Sequence, residues 1–296
     1  MLTSHLADGP AGRALQFYII EPDTEADAEP GSSIPVIWFH GSPNVGEPPA
    51  PLFDAATGHG IGWIGYDRPG YGQSTSNSGR DIASAAADVE AIADALELER
   101  FAVMGHSGGG AHALACAALL PDRVMAAVAI SGLAPLPTFG EHLTSGIGWF
   151  DGFHAGGANE MRAALAGREA LEKVVRESTY DPEMFTPEDL AMLEGPWSWF
   201  SEVVKRGTAN GMGGFVDDNL AAMRPWGFDV RNITVPTLIM HGTEDRVVPA
   251  SHGRWLGRHI PGAQLRLREG AGHLSVMTGA DDALSWIAQT VAVQEA

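Results

Sequence analysis

Three residues of this 296-residue chain have the types and the spacing for nucleophilic catalysis: a serine in a glycine-rich junction, then an acid, then a histidine. Ser107 lies in Met104-Gly105-His106-Ser107-Gly108-Gly109-Gly110, and residues 105–109 fit G-x-S-x-G. The apolar run from Phe101 predicts a strand before it, and the Ala/Leu-rich residues 111–120 predict a helix after it. A strand that turns sharply into a helix holds its middle residue in a strained conformation. Positions two before and two after that residue come so close that side chains clash, and Gly105 and Gly109 meet this demand. The helix N-terminus beyond Ser107 favours developing negative charge, and the Gly108 backbone N–H is the natural first donor to an oxyanion. A serine hydroxyl needs a base, and the base needs an orienting acid. The stretch HGTEDRVVP, residues 241–249, offers Asp245 and its neighbour Glu244, and GAGHLS, residues 270–275, offers His273. The order Ser, acid, His is thereby satisfied, with the residues alone leaving Glu244 and Asp245 both open.

These groups meet only if the surrounding elements bring them together. Apolar runs predict strands at 15–20, 36–40, 61–66, from Phe101, at 124–130, 237–241 and 264–267. Residues 82–98 carry apolar positions at helical spacing, and further helices are predicted at 251–259 and 281–293, with a loop at 21–33. Strands that alternate with helices and read as unbroken apolar runs imply a parallel sheet covered on both faces. Ser107, Asp245 and His273 then all fall at C-terminal strand ends, the edge where open α/β sheets bind ligands. Between 133 and 227 clear strands vanish, and helix-like pieces at 161–177, 187–193 and 196–206 are separated by Gly and Pro. The expected division is a core of 1–132 and 228–296, interrupted by a helical insertion at 133–227.

Composition narrows the function classes. Hydrophobic residues make up 45% of the chain, enough for a substantial core, and the net charge is -19. So acidic a chain argues against nucleic-acid and anionic-membrane partners. The single cysteine, Cys116, forms no internal disulfide and is expected to be buried and inert, which is compatible with a reducing, cytoplasmic compartment. The first ten residues lack the basic and apolar regions of a signal peptide, and no apolar run is long enough to span a bilayer. No HExxH motif or early GxGxxG turn is present, so neither a metal nor a dinucleotide cofactor is expected.

The segments FHGSP (39–43), YDRPGYGQS (66–74), GHSGGG (105–110), HGTEDRVVP (241–249) and GHL (272–274) together resemble the α/β-hydrolase superfamily across nearly the whole chain. The resemblance implies an eight-stranded, mostly parallel sheet with helices on both faces and a helical cap inserted after strand six. It selects Asp245 over Glu244 as the acid. His40-Gly41-Ser42-Pro43 is similar to the family's HGxP loop, whose third residue supplies the second oxyanion donor, here the main-chain N–H of Ser42. His40 is expected to brace this loop, His106 to pack, and Asp67 and Arg68 to organise a tight turn. Trp197, Trp199 and Phe200 are candidates either to line an apolar pocket or to form the insertion's own small core. The insertion's acids, Glu160, Asp189, Asp217 and Asp218 among them, read as a solvated face.

The expected activity is a serine esterase cleaving a small or medium carboxylic ester through an acyl-enzyme on Ser107. An alternative is a proline-iminopeptidase-like aminopeptidase, although Gly108 stands where that group carries Trp after the serine. A further alternative is a non-catalytic small-ligand binder of the same fold. The related dehalogenases and epoxide hydrolases use an aspartate nucleophile, which Ser107 replaces here.

Overall fold

Five largely apolar runs build the centre of the sheet. The computed structural model describes residues 2–20, 33–136 and 148–295. The predicted loop at 21–33 lies almost wholly outside those residues, as do residues 137–147 of the insertion, with Glu141. The strands are β1 (Leu2–Asp8), β2 (Ala14–Ile20), β3 (Ile34–Phe39), β4 (Ile61–Tyr66), β5 (Phe101–His106), β6 (Val124–Ile130), β7 (Thr237–Gly242) and β8 (Gln264–Arg268). They form one sheet in the order β1-β2-β4-β3-β5-β6-β7-β8. Strands β1 and β2 run antiparallel, as do β2 and β4, and the rest pair in parallel. The eight-stranded, mostly parallel expectation holds.

Side-chain alternation divides the interior in two. Ile37, Phe39, Val103, Ala129 and Ile239 face one core, with Val89 of α2 (Ser84–Ala95) and Leu114 of α3 (Gly108–Leu119). Val36, Trp38, Met104, Val128 and Met240 face the other, with Ala56 of α1 (Phe53–Gly58). Both faces being covered explains why the central strands are apolar throughout.

Between β6 and β7 the described residues form helices and no strand: α4 (Ala155–Ala166), α5 (Arg168–Glu177), α6 (Pro187–Met192), α7 (Trp199–Gly207) and α8 (Gly213–Ala222). The single helix predicted at 161–177 is two, because Gly167 adopts φ 115° and breaks it. Helix α9 (Ala250–His259) follows β7, and α10 (Asp281–Glu295) closes the fold. Among the described residues no helix is long and apolar enough to cross a membrane.

Candidate active site

Ser107 stands between β5 and α3 with φ 56° and ψ -129°, a conformation that L-residues rarely adopt. A Cβ on Gly105 would collide with the carbonyl of Gly109, and one on Gly109 with the carbonyl of Phe39. The two glycines therefore permit the tight turn that lifts Ser107 above the sheet edge.

The loop after β7 carries Asp245 and the loop after β8 carries His273. The Ser107 hydroxyl lies 2.9 Å from His273 Nε2, and His273 Nδ1 lies 2.8 Å from Asp245 Oδ2. The other oxygen, Asp245 Oδ1, accepts the N–H groups of Val247 (2.9 Å) and Val248 (2.8 Å), which fixes the carboxylate plane. Burial alone would raise the Asp245 carboxyl, but electrostatic pairing with His273 and hydrogen bonds from His241 and His273 hold it well below the usual range. Glu244 is exposed, so geometry separates the two candidate acids. Nδ1–H of His273 directed at Asp245 leaves Nε2 free to take the proton of Ser107.

His106 donates from Nε2 to the carbonyl of His273 (2.9 Å) and packs 5.5 Å from the Phe200 ring. Burial, aided by the neighbouring His273 imidazole, pushes its own imidazole down to about 3, so it is neutral and packs, as expected.

The loop after β3 brings Ser42 opposite Gly108. A Cβ built on Gly108 would lie 3.0 Å from Ser42 Oγ and 3.9 Å from Ser42 N. Neither main-chain N–H donates to a protein acceptor among the described residues, so both are available to an incoming oxygen. His40 braces this loop: its Nδ1 donates to the carbonyl of Gly41 (2.7 Å), and its Nε2 accepts the N–H of Arg68 (3.1 Å). Asp67 accepts the N–H of Gly46 (2.6 Å) and the hydroxyl of Tyr18 (3.1 Å), tying the β4 turn to its neighbours.

A cavity of about 620 Å³ opens over Ser107 and His273. Its walls are mostly apolar and include Phe153, Phe200 and Phe215, with Tyr180 and Glu160 also contributing. Of the three aromatic candidates, Phe200 lines it. Trp197 and Trp199 do not, and pack instead into the core beneath α7, where Trp199 meets Trp38 edge-on at 6.5 Å. The helix turns one face to the cavity and another to the sheet, so adjacent aromatics part ways.

Three of the insertion's acids are buried, contrary to the solvated-face reading. Asp189 is 1% exposed and its carboxylate accepts the N–H groups of His273 (3.0 Å), Leu274 (2.9 Å) and Ser275 (2.6 Å). Asp218 accepts from Arg68 Nη2 (2.7 Å), Arg80 Nη2 (2.5 Å), the Tyr71 hydroxyl (2.8 Å) and the Ser42 hydroxyl (2.5 Å). Asp217 pairs with Arg168 and with Arg80 (3.4 Å). The sequence did carry one signal for Asp189: Thr186-x-x-Asp189 is a capping box, which the structure forms at α6. Asp218 had none, because α8 is buried on nearly every side and shows no amphipathic stripe. Among the described residues no group of three His, Cys, Asp or Glu side chains is placed to hold a metal ion.

Residues 34–280 match the model of the α/β hydrolase fold. The chain belongs to that family. A non-heme chloroperoxidase of Streptomyces lividans is 31% identical over 230 residues, 75% of this chain and 78% of the relative. The 2-hydroxy-6-oxo-6-phenylhexa-2,4-dienoate hydrolase of Comamonas testosteroni is 29% identical over 83% of this chain and 79% of its own. Among solved structures, a hydrolase from Pseudomonas aeruginosa PA01 superposes with a TM-score of 0.70 at 20% identity, covering 98% of both chains. The α/β hydrolase relatives thus carry both hydrolase and haloperoxidase names.

Proposed function

We propose that the protein is a serine hydrolase that cleaves small or medium carboxylic esters, with residues 133–227 as a cap over the site. The observation that carries the reading is the continuous Ser107–His273–Asp245 hydrogen-bond line opening on an apolar cavity of small-molecule size. His273 Nε2 takes the Ser107 proton as Oγ attacks the ester carbonyl. The N–H groups of Ser42 and Gly108 receive the oxyanion. His273 then returns the proton to the leaving alcohol as the C–O bond breaks. Water, deprotonated by the same imidazole, releases the acid and restores Ser107, while Asp245 stabilises each imidazolium.

The haloperoxidase names among the relatives favour a second use of the same intermediate. Hydrogen peroxide attacking the acyl-enzyme in place of water gives a peracid: the peroxide O–C bond forms, the Ser107 O–C bond breaks, and one proton passes through His273 to Oγ. The peracid then oxidises halide in solution.

A fluorophosphonate probe should label Ser107, with the adduct located by mass spectrometry. Ser107→Ala should fold and lose about 10⁴-fold or more in aryl-ester hydrolysis. Retention of more than about a tenth of wild-type activity in the purified variant would overturn the reading. Adding peroxide and an acyl donor tests whether peracid forms.

A further inference from the structure

Asp218 comes from α8, far along the chain from the Ser42 loop, yet it sits at the centre of that loop's support. It is 5% exposed and its two oxygens receive five hydrogen bonds, from Ser42, Arg68, Tyr71 and Arg80. Arg68 is 1% exposed, and its guanidinium reaches the carbonyl of His40, the carbonyl of Gly41 (3.5 Å) and the hydroxyl of Ser42 (3.1 Å). The Gly41 carbonyl also accepts from His40 Nδ1 at 2.7 Å.

The Gly41 carbonyl and the Ser42 N–H belong to one peptide unit, which is planar. Donors that pin the carbonyl on one side therefore aim the N–H on the other. The Ser42 hydroxyl bonded to Asp218 fixes the same residue from its side chain. An isolated Arg68 in this buried place would be unstable, and Asp218 is the counter-charge that holds it.

We propose that Asp218 is a positioning residue of the oxyanion site: through Arg68 and the Ser42 hydroxyl, the inserted segment sets the direction of the Ser42 N–H. The proposal rests on the serine-hydrolase reading above. Asp218 touches no reacting atom. It ties formation of a competent oxyanion site to docking of α8, so with α8 undocked the site would keep Ser107 but only one aligned donor, Gly108.

The test compares a tetrahedral mimic with a planar ligand of the same skeleton. An aryl trifluoromethyl ketone adds Ser107 Oγ at its carbonyl carbon, passes the proton to His273 and leaves an oxyanion. The matching methyl ketone binds without that charge. Asp218→Asn should weaken the trifluoromethyl ketone about 10- to 100-fold and the methyl ketone less than about twofold, with the loss in turnover appearing in kcat rather than KM. A purely structural role would lower the folded fraction and move both ligands equally. Ser42→Ala removes only the hydroxyl link and keeps the Arg68–Asp218–Arg80 cluster. It should shift the ratio the same way by a smaller factor, and it carries the test if Asp218→Asn does not fold. An unchanged ratio in folded variants would overturn the coupling alone. Failure of a fluorophosphonate to label wild-type Ser107 would overturn the hydrolase reading and the proposal with it.

Discussion

Asp189→Asn should be among the most damaging single-atom exchanges in this protein. The carboxylate accepts four N–H groups: Thr186 (3.1 Å) and His273 on Oδ2, Leu274 and Ser275 on Oδ1. An asparagine oxygen can keep one pair. Its NH2 then faces the other pair, donor against donor, in a site that is 1% exposed. Two hydrogen bonds to a charged acceptor are lost, at about 1.5–3 kcal/mol each, so the expected destabilisation is about 3–6 kcal/mol before relaxation. For a chain of this size that lowers Tm by roughly 6 °C or more. The chemistry should suffer as well. The loop that would shift carries His273, and a displacement of about 1 Å between base and nucleophile reduces turnover about 100-fold. Thermal unfolding by circular dichroism and kcat/KM on an aryl ester measure the two effects. Gly272→Ala approaches the same contact from the other side, because its Cβ would collide with Asp189 Oδ2. An Asp189→Asn variant that keeps Tm within about 2 °C and kcat/KM within about twofold of wild type would refute this role for Asp189.

Asp245→Asn should slow turnover by about 10⁴-fold, since an amide cannot stabilise the imidazolium, while the exposed Glu244→Gln should be mild. Steady-state kinetics that reversed the two would move the acid to Glu244. Burial raises the Asp67 carboxyl from its ordinary 3.8 to about 6, so the folded state holds this proton more tightly than the unfolded state does. Its contribution to stability therefore declines as pH rises from about 4 to about 6, and Asp67→Asn should gain stability relative to wild type over that interval. Denaturant titrations at several pH values check the sign, and a gain confined to low pH would contradict it. Across a series of aryl esters, kcat/KM should rise with acyl length, by roughly 0.8 kcal/mol per buried methylene, then fall once the cavity of about 620 Å³ is full. A monotonic rise to long chains would show that the cavity does not bound the substrate.

Much of the core was legible because its signals are local. The strands at 61–66 and 124–130 stand where the apolar runs put them, and the elbow glycines announce a turn that only glycine permits. Strand β1 was missed because it is an edge strand with only Ala7 buried, so it carries no apolar run to read. Helix α8 was missed because it opens on two glycines and is buried on nearly all sides. Ser107 and His273, with Glu244 or Asp245 as the acid, could be grouped from order and placement, and the resemblance to the α/β-hydrolase superfamily selected Asp245. The long-range partners of Asp189 and Asp218 could not, since those bonds join residues separated by dozens of positions and no periodicity encodes such a pairing. An acid in a polar-looking stretch is usually solvated, and only the fold reveals that these two carry buried amides and guanidinium groups.

The placement of those two acids bears on how the site is assembled. Ser107 is held by the sheet and by α3: its N–H donates to the carbonyl of Ile130 (2.8 Å) and its carbonyl accepts the N–H of Gly110 (2.9 Å). The two loops around it differ. The loop carrying His273 leans on Asp189 of α6, and the loop carrying Ser42 leans on Asp218 of α8. Each acid is buried and would be unstable there without its donors, and each loop has donors that would go unsatisfied without the acid. The dependence is therefore mutual. Loosening the insertion should disturb base and oxyanion donor together while leaving the nucleophile in place, so a destabilised insertion would give a protein still folded at the elbow but slow to acylate. That pattern differs from the loss caused by Ser107→Ala, in which the geometry around the missing oxygen stays intact.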